Sequence, residues 1–103
     1  MEQIDIHQAK ILIDQGQITI VDIRDQNSFE DAHIDNAISL SDRNIENFIE
    51  KADKTKPLLC YCYHGFSSQN AATYFLSNGF EKVYSMDGGF EAWRQEYPVV
   101  GNS

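Results

Sequence analysis

Cys62 is the residue of this chain with the most chemistry open to it, and its neighbours narrow what that chemistry could be. It stands where an apolar run, Pro57, Leu58, Leu59, Cys60 and Tyr61, gives way to Tyr63-His64-Gly65-Phe66-Ser67-Ser68 and then to a helical pattern. If Leu58 to Cys62 is a short buried strand and Ser68 to Asn78 a helix, the chain must turn sharply between them. Amide groups of such a turn converge just above the cysteine, and the unpaired N–H groups of the helix's first turn add partial positive charge. A thiol held there is expected to ionise more readily than a free cysteine, which makes it a nucleophile at neutral pH. Gly65 can take a positive φ in the turn, and Ser67 or Ser68 can cap the helix. The plain alternative is that Cys62 is a small buried hydrophobe at a strand end, as most free cysteines are.

The elements that would position this loop follow from the pattern along the chain. Gln3 to Ile6 suits a short first strand, and Asp5 can cap a helix whose apolar positions Ile6, Ala9 and Ile13 fall at helical spacing and which Gly16 ends. Ile18, Ile20, Val21 and Ile23 form a near-continuous β-branched run, the mark of a strand covered on both faces. Asn27 or Ser28 can cap a brief helix through Phe29 and Ala32, and Ala37 to Leu40 reads as another strand. Ser41 or Asp42 is expected to cap the next helix, with Ile45, Phe48, Ile49 and Ala52 as its apolar stripe. After the cysteine loop, Ala71, Ala72, Phe75 and Leu76 supply a buried helix face. Asn78-Gly79 stops that helix, Val83 to Met86 is the last strand, and Asp87-Gly88-Gly89 is a turn. Phe90, Trp93 and Tyr97 share one face of a final helix that Pro98 ends. Strands alternating with helices predict an α/β fold, a five-stranded parallel sheet with helices on both faces, with sites outside the carboxyl ends of the strands.

The 103 residues suit one domain spanning 1–103, with 98–103 expected as a loose C-terminal tail. Sixteen acidic residues against eight basic ones give a net charge of −8, which argues against nucleic acid or an anionic membrane as a partner of the general surface. An anionic substrate would be held by local backbone dipoles, against that charge. No apolar run approaches the roughly 18 residues of a membrane span, and Met1-Glu2-Gln3 opens the chain without a basic segment followed by an apolar one, so a cytoplasmic location is expected. Cys60 and Cys62, two apart on one strand, are poorly placed for a mutual disulfide. With only His7, His33 and His64 as further strong ligands and no paired Cys-x-x-Cys, no metal site is expected.

Three blocks together resemble the rhodanese family of sulfurtransferases over nearly the whole chain: Val21-Asp22-Ile23-Arg24-Asp25 through Phe29 to His33-Ile34 and Ala37-Ile38; Cys62-Tyr63-His64-Gly65 with Ser67-Ser68; and Val83-Tyr84-Ser85-Met86-Asp87-Gly88-Gly89-Phe90-Glu91-Ala92-Trp93. The first block departs from the family's habit of glycines, carrying Ala32 before the histidine and Asp35-Asn36 after Ile34. The resemblance implies a single rhodanese-like domain in which Cys62 carries sulfur as a persulfide, and the backbone N–H groups of Tyr63, His64, Gly65, Phe66, Ser67 and Ser68 cradle the bound anion. It implies thiosulfate as donor, a thiophilic acceptor such as cyanide, a thiol or a thioredoxin-like dithiol protein, and no cofactor. One compact acidic domain is expected to act as a monomer.

Each residue also has a plainer role. The side chains of Gly65 and Ser67 need only shape and cap the loop. His64 either adds positive charge or points to solvent, and Phe66 is either an exposed apolar lip for a protein acceptor or tucked into the domain. Asp22, Arg24 and His33 are expected to knit turns, Gly88-Gly89 and Trp93 to shape a turn and anchor the core, and Cys60 to be core. A Cys-x5-Arg phosphatase shares the loop logic, but Ser68 stands where its anion-clamping arginine would be, and the loop has no Arg or Lys. A sulfur relay with another persulfide donor and a non-catalytic interaction module are the remaining alternatives.

Overall fold

The five strands pair in parallel in the spatial order β1-β5-β4-β2-β3, comprising β1 Glu2–Ile4, β2 Thr19–Asp22, β3 Ile38–Ser39, β4 Leu58–Tyr61 and β5 Val83–Met86. The structure is a computed structural model and describes residues 1–102. The β4 strand lies at the centre of the sheet and is buried along its whole length, as its unbroken apolar run requires.

Alternation along β4 divides the core into two layers. Leu59 and Tyr61 face one layer with Ile4, Ile20, Met86, Phe90 and Trp93, packed under α1 (Ile6–Gln15) and α5 (Gly89–Glu96). Leu58 and Cys60 face the other with Val21, Val83, Ala72 and Phe75, under α3 (Ile45–Lys51) and α4 (Ser67–Ser77). The register sets Cys60 of β4 between Val21 of β2 and Ser85 of β5. Cys62, the first residue past β4, thus emerges on the α4 side at the carboxyl edge of the sheet.

Helix starts differ from several sequence expectations. Asp5 caps α1 as anticipated, its carboxylate accepting from the Gln8 amide at 2.8 Å. The cap of α2 (Gln26–Asp31) is Asp25 in place of Asn27 or Ser28: its carboxylate accepts from the Ser28 amide at 3.0 Å, leaving the Ser28 hydroxyl for other contacts. A turn over 41–44 intervenes before α3, so Asn44 holds the cap position and Ser41 serves the turn, its carbonyl accepting from Asn44 and Ile45. The segment after Pro98, expected to be loose, is tied down: Val100 and His33 exchange both backbone hydrogen bonds, at 2.8 and 2.9 Å, and the Asn102 amide donates to Glu30. Ser103, also part of that expected tail, lies outside the described residues. No helix among the described residues is long and apolar enough to cross a membrane.

Candidate active site

The sulfur of Cys62 is the convergence point of the loop. Amides of Gly65 and Ser68 each donate to Sγ at 3.2 Å, and the Ser68 hydroxyl oxygen lies 3.3 Å away. Cys62 is only 4% exposed. Burial pushes the thiol up, but the Ser68 hydroxyl and the amides of Ser68, Gly65 and His64 outweigh it and hold Cys62 below an ordinary cysteine. Two residues back, burial pushes the Cys60 thiol far up, the nearness of Cys62 and Asp22 adding to it. The two cysteines are thus chemically opposite.

Ser68 does not cap α4. The helix begins at Ser67, so Phe66, which has no side-chain acceptor, occupies the cap position and no side chain caps the helix; the Ser68 hydroxyl turns inward to the sulfur and to Ser85 Oγ, 2.8 Å off. Ser67 is exposed at the helix start and caps nothing either. Of the other loop residues, Gly65 has φ +94°, His64 is exposed on its side chain, and Phe66 is 77% exposed at the rim. Tyr63 points outward and its hydroxyl hydrogen-bonds to the Asp25 carboxylate and to Ser28 Oγ, joining the loop to the start of α2. That bond and those from Ser28 hold the Asp25 carboxyl down to about 2.

The last helix fixes the loop from above. Phe90 and Glu91 amides, in the first turn of α5, donate to the carbonyls of Cys62 and Tyr63 at 2.8 and 3.0 Å. This close approach requires glycine at two places. A Cβ on Gly65 would lie 2.9 Å from the Gly88 nitrogen, and one on Gly89 would lie 2.4 Å from the Tyr63 carbonyl oxygen, both at positive φ.

Asp22 and Arg24 form a buried ion pair at 2.7 Å, the guanidinium also donating to the Ala32 carbonyl at 2.6 Å and lying 4.0 Å over the Phe90 ring. His33 Nδ1 is 2.6 Å from the Phe29 carbonyl, with its ring stacked on Phe29, away from the sulfur. These residues hold turns together. Sequence reasoning did not find Ser85, which reads as an ordinary strand residue, or the contact of Gly89 with the loop. The only signal for the former is a hydroxyl on an inner strand. Among the described residues no group of three or more His, Cys, Asp or Glu side chains is placed to hold a metal ion.

A central parallel strand followed at once by a cysteine, with backbone amides turned onto its sulfur and a glycine-paired helix start against the loop, is the architecture of a known class, and the chain belongs to it: the rhodanese-like domain family, whose pattern matches residues 5–96. Within the family it is similar to the thiosulfate sulfurtransferase GlpE of Coxiella burnetii, 47% identical over 98 residues that cover 95% of this chain and 92% of the relative. It is similar also to thiosulfate sulfurtransferase GlpE of Vibrio cholerae serotype O1, 49% identical over 97 residues, 93% of this chain and 92% of that one. Among solved structures, the rhodanese-like domain of an Anabaena protein superposes with a TM-score of 0.87 at 26% identity, covering 99% of this chain and 80% of its own.

Proposed function

We propose that this chain is a thiosulfate sulfurtransferase in which Cys62 carries the transferred sulfur as a persulfide. The observation that supports this most directly is the convergence on one buried sulfur of two donating amides, at 3.2 Å, and the Ser68 hydroxyl, at 3.3 Å. In the first stroke the Cys62 thiolate attacks the outer sulfur of thiosulfate; the S–S bond of thiosulfate breaks, its electron pair leaves with sulfite, and Cys62 keeps the sulfur as S–S⁻. In the second stroke a thiophilic acceptor attacks that outer sulfur and the electron pair of the S–S bond returns to Cys62 Sγ. The two amides already aimed at the sulfur stabilise it both as nucleophile and as leaving group without moving. The amides of Tyr63 through Ser68 form the cradle for the anion, and neither stroke calls for a cofactor. A phosphoryl dianion would lack the arginine clamp that phosphatases use, since Ser68 faces the sulfur in that position.

Phe66, exposed at the rim of the loop, favours a protein dithiol of the thioredoxin-like kind as an acceptor over a small one, and it equally suits a relay that receives sulfur from a protein persulfide. The domain works as a cytoplasmic monomer in this reading. Intact-protein mass after incubation with thiosulfate tests it: the wild type gains one sulfur that cyanide removes as thiocyanate, and Cys62→Ser gains none. A wild type that gains no sulfur from thiosulfate but gains it from a persulfide donor makes it a relay, and one that gains none from either is an interaction module.

A further inference from the structure

Ser85 is buried, on an inner strand, and lies beyond the cysteine loop, yet its hydroxyl is 2.8 Å from Ser68 Oγ, which in turn is 3.3 Å from Cys62 Sγ. Each hydroxyl has one proton to give. With Cys62 as a thiol, its S–H can donate to Ser68 Oγ and the Ser68 proton turns to Ser85. A thiolate only accepts, so on ionisation the Ser68 proton must turn to the sulfur, and Ser68 Oγ then accepts from Ser85. The chain of two hydroxyls reverses, and the Ser68–Ser85 hydrogen bond is kept in both states with its donor exchanged.

We propose that Ser85 is a positioning residue for sulfur transfer: it holds the far end of a reversible hydroxyl relay so that the Ser68 proton points at Cys62 Sγ whenever that sulfur carries charge. This rests on Cys62 being the sulfur carrier. The relay acts in both strokes, on the attacking thiolate and, when the acceptor–sulfur bond forms and the persulfide S–S bond breaks, on the electron pair returning to Sγ. The titratable groups of the elements packed around this sulfur are Cys60 and Tyr61 on β4, Tyr63 and His64 in the loop, the Asp22–Arg24 pair at the end of β2 and Asp87 after β5; the first turn of α4 carries none. The relay contains none of them, so a change in it alone is read as a shift of the Cys62 titration.

The test is the pH dependence of Cys62 alkylation by iodoacetamide, read by peptide mass, with cyanide discharge of the preloaded persulfide as second readout. The proteins are wild type, Ser85→Ala, Ser85→Thr, Ser68→Ala and the Ser68→Ala/Ser85→Ala double variant. Ser85→Ala is expected to raise the alkylation midpoint by about half to one pH unit and to slow discharge about three- to tenfold at neutral pH, the scale of one weakened hydrogen bond to a charged group. Ser85→Thr, which keeps the hydroxyl, restores both. In the Ser68→Ala background the second substitution changes neither, because the relay is already cut. An equal shift from Ser85→Ala with and without Ser68 overturns the relay and makes Ser85 a packing residue; so does a depressed wild-type midpoint that Ser85→Ala leaves in place. A wild-type midpoint in the ordinary thiol range overturns the reading of Cys62 itself and the relay with it. If Ser85→Ala shows no cooperative unfolding transition, Ser85→Cys, of similar size with a weaker donor, carries the test: an upward shift of Cys62 supports the relay and none overturns it.

Discussion

Replacing Gly89 by alanine separates the two demands that the fold makes on that residue. One is backbone conformation: φ is +60°, where an L side chain is strained by roughly 1–2 kcal/mol. Gly16, at the end of α1 with φ +76° and open space around it, makes the first demand alone. At Gly89 a Cβ would also sit 2.4 Å from the Tyr63 oxygen, 2.5 Å from its carbonyl carbon and 2.6 Å from the His64 nitrogen, about 1 Å inside ordinary contact with the backbone that follows Cys62. Overpacking of that kind costs about 1–3 kcal/mol more. The neighbour that must yield is the cysteine loop, whose Cys62 and Tyr63 carbonyls are held by the α5 amides. A misplacement near 1 Å at a reacting centre lowers rates by about a hundredfold. Gly16→Ala should therefore lose about 1–2 kcal/mol in urea unfolding and keep the wild-type rate of sulfur loading from thiosulfate. Gly89→Ala should lose about 2–5 kcal/mol and load sulfur about a hundred times more slowly, measured at a temperature where both variants are fully folded. Wild-type loading by folded Gly89→Ala would refute the idea that α5 sets the geometry of the loop.

Three further outcomes follow from other contacts. Cys60→Ser, which puts a hydroxyl into a fully buried apolar site, should cost about 1–3 kcal/mol of stability yet still load one sulfur; loss of loading there, with the fold intact, would shift the chemistry to the wrong cysteine. Arg24→Ala strands the buried Asp22 carboxylate and should destabilise by about 3–5 kcal/mol, seen as a fall in the urea midpoint at unchanged slope; a loss under 1 kcal/mol would show that water or a neighbour replaces the guanidinium. Tyr63→Phe removes the main cause of the low Asp25 titration. A carboxylate depressed in the folded state stabilises above its ordinary value near 3.9 and ceases to as pH falls through its folded value, here about 2. In Tyr63→Phe the lower edge of that window rises toward about 3.9 and the window narrows, and an NMR titration of Asp25 that stays at about 2 would show that Tyr63 does not hold it down.

What could be read from the sequence was whatever local pattern decides. The β-branched run of β2, the apolar run of β4 and the stripe of Phe90, Trp93 and Tyr97 announce buried faces by spacing, and the alternation of strand and helix implies a parallel sheet. Caps were read less well, because a serine hydroxyl near a helix start has several partners within reach. Ser68 is drawn off its helix by a sulfur six residues back and a hydroxyl 17 residues on. Ser28 has its place as cap taken by Asp25 and hydrogen-bonds instead to a tyrosine 35 residues away. Ser85 looks like any small strand residue until the register sets it opposite Cys60, beside the cysteine loop. The backbone pairing of Val100 with His33 likewise depends on a neighbour 67 residues distant, which a local pattern does not reveal.

The uncapped start of α4 also sets a limit on how this protein can be made sturdier. Phe66 has no side-chain acceptor for the helix start, and its backbone is helical (φ −94°, ψ −56°) where a capping residue is extended, so an aspartate or asparagine there would cap only by shifting the loop backbone. Such a side chain would take the amide of Ser68 or Gln69, and the Ser68 amide is one of the donors on Cys62 Sγ. An aspartate would in addition set a negative charge beside the sulfur that the proposed reaction ionises. A capping substitution at position 66 would thus gain any helix-end stability at the expense of sulfur transfer.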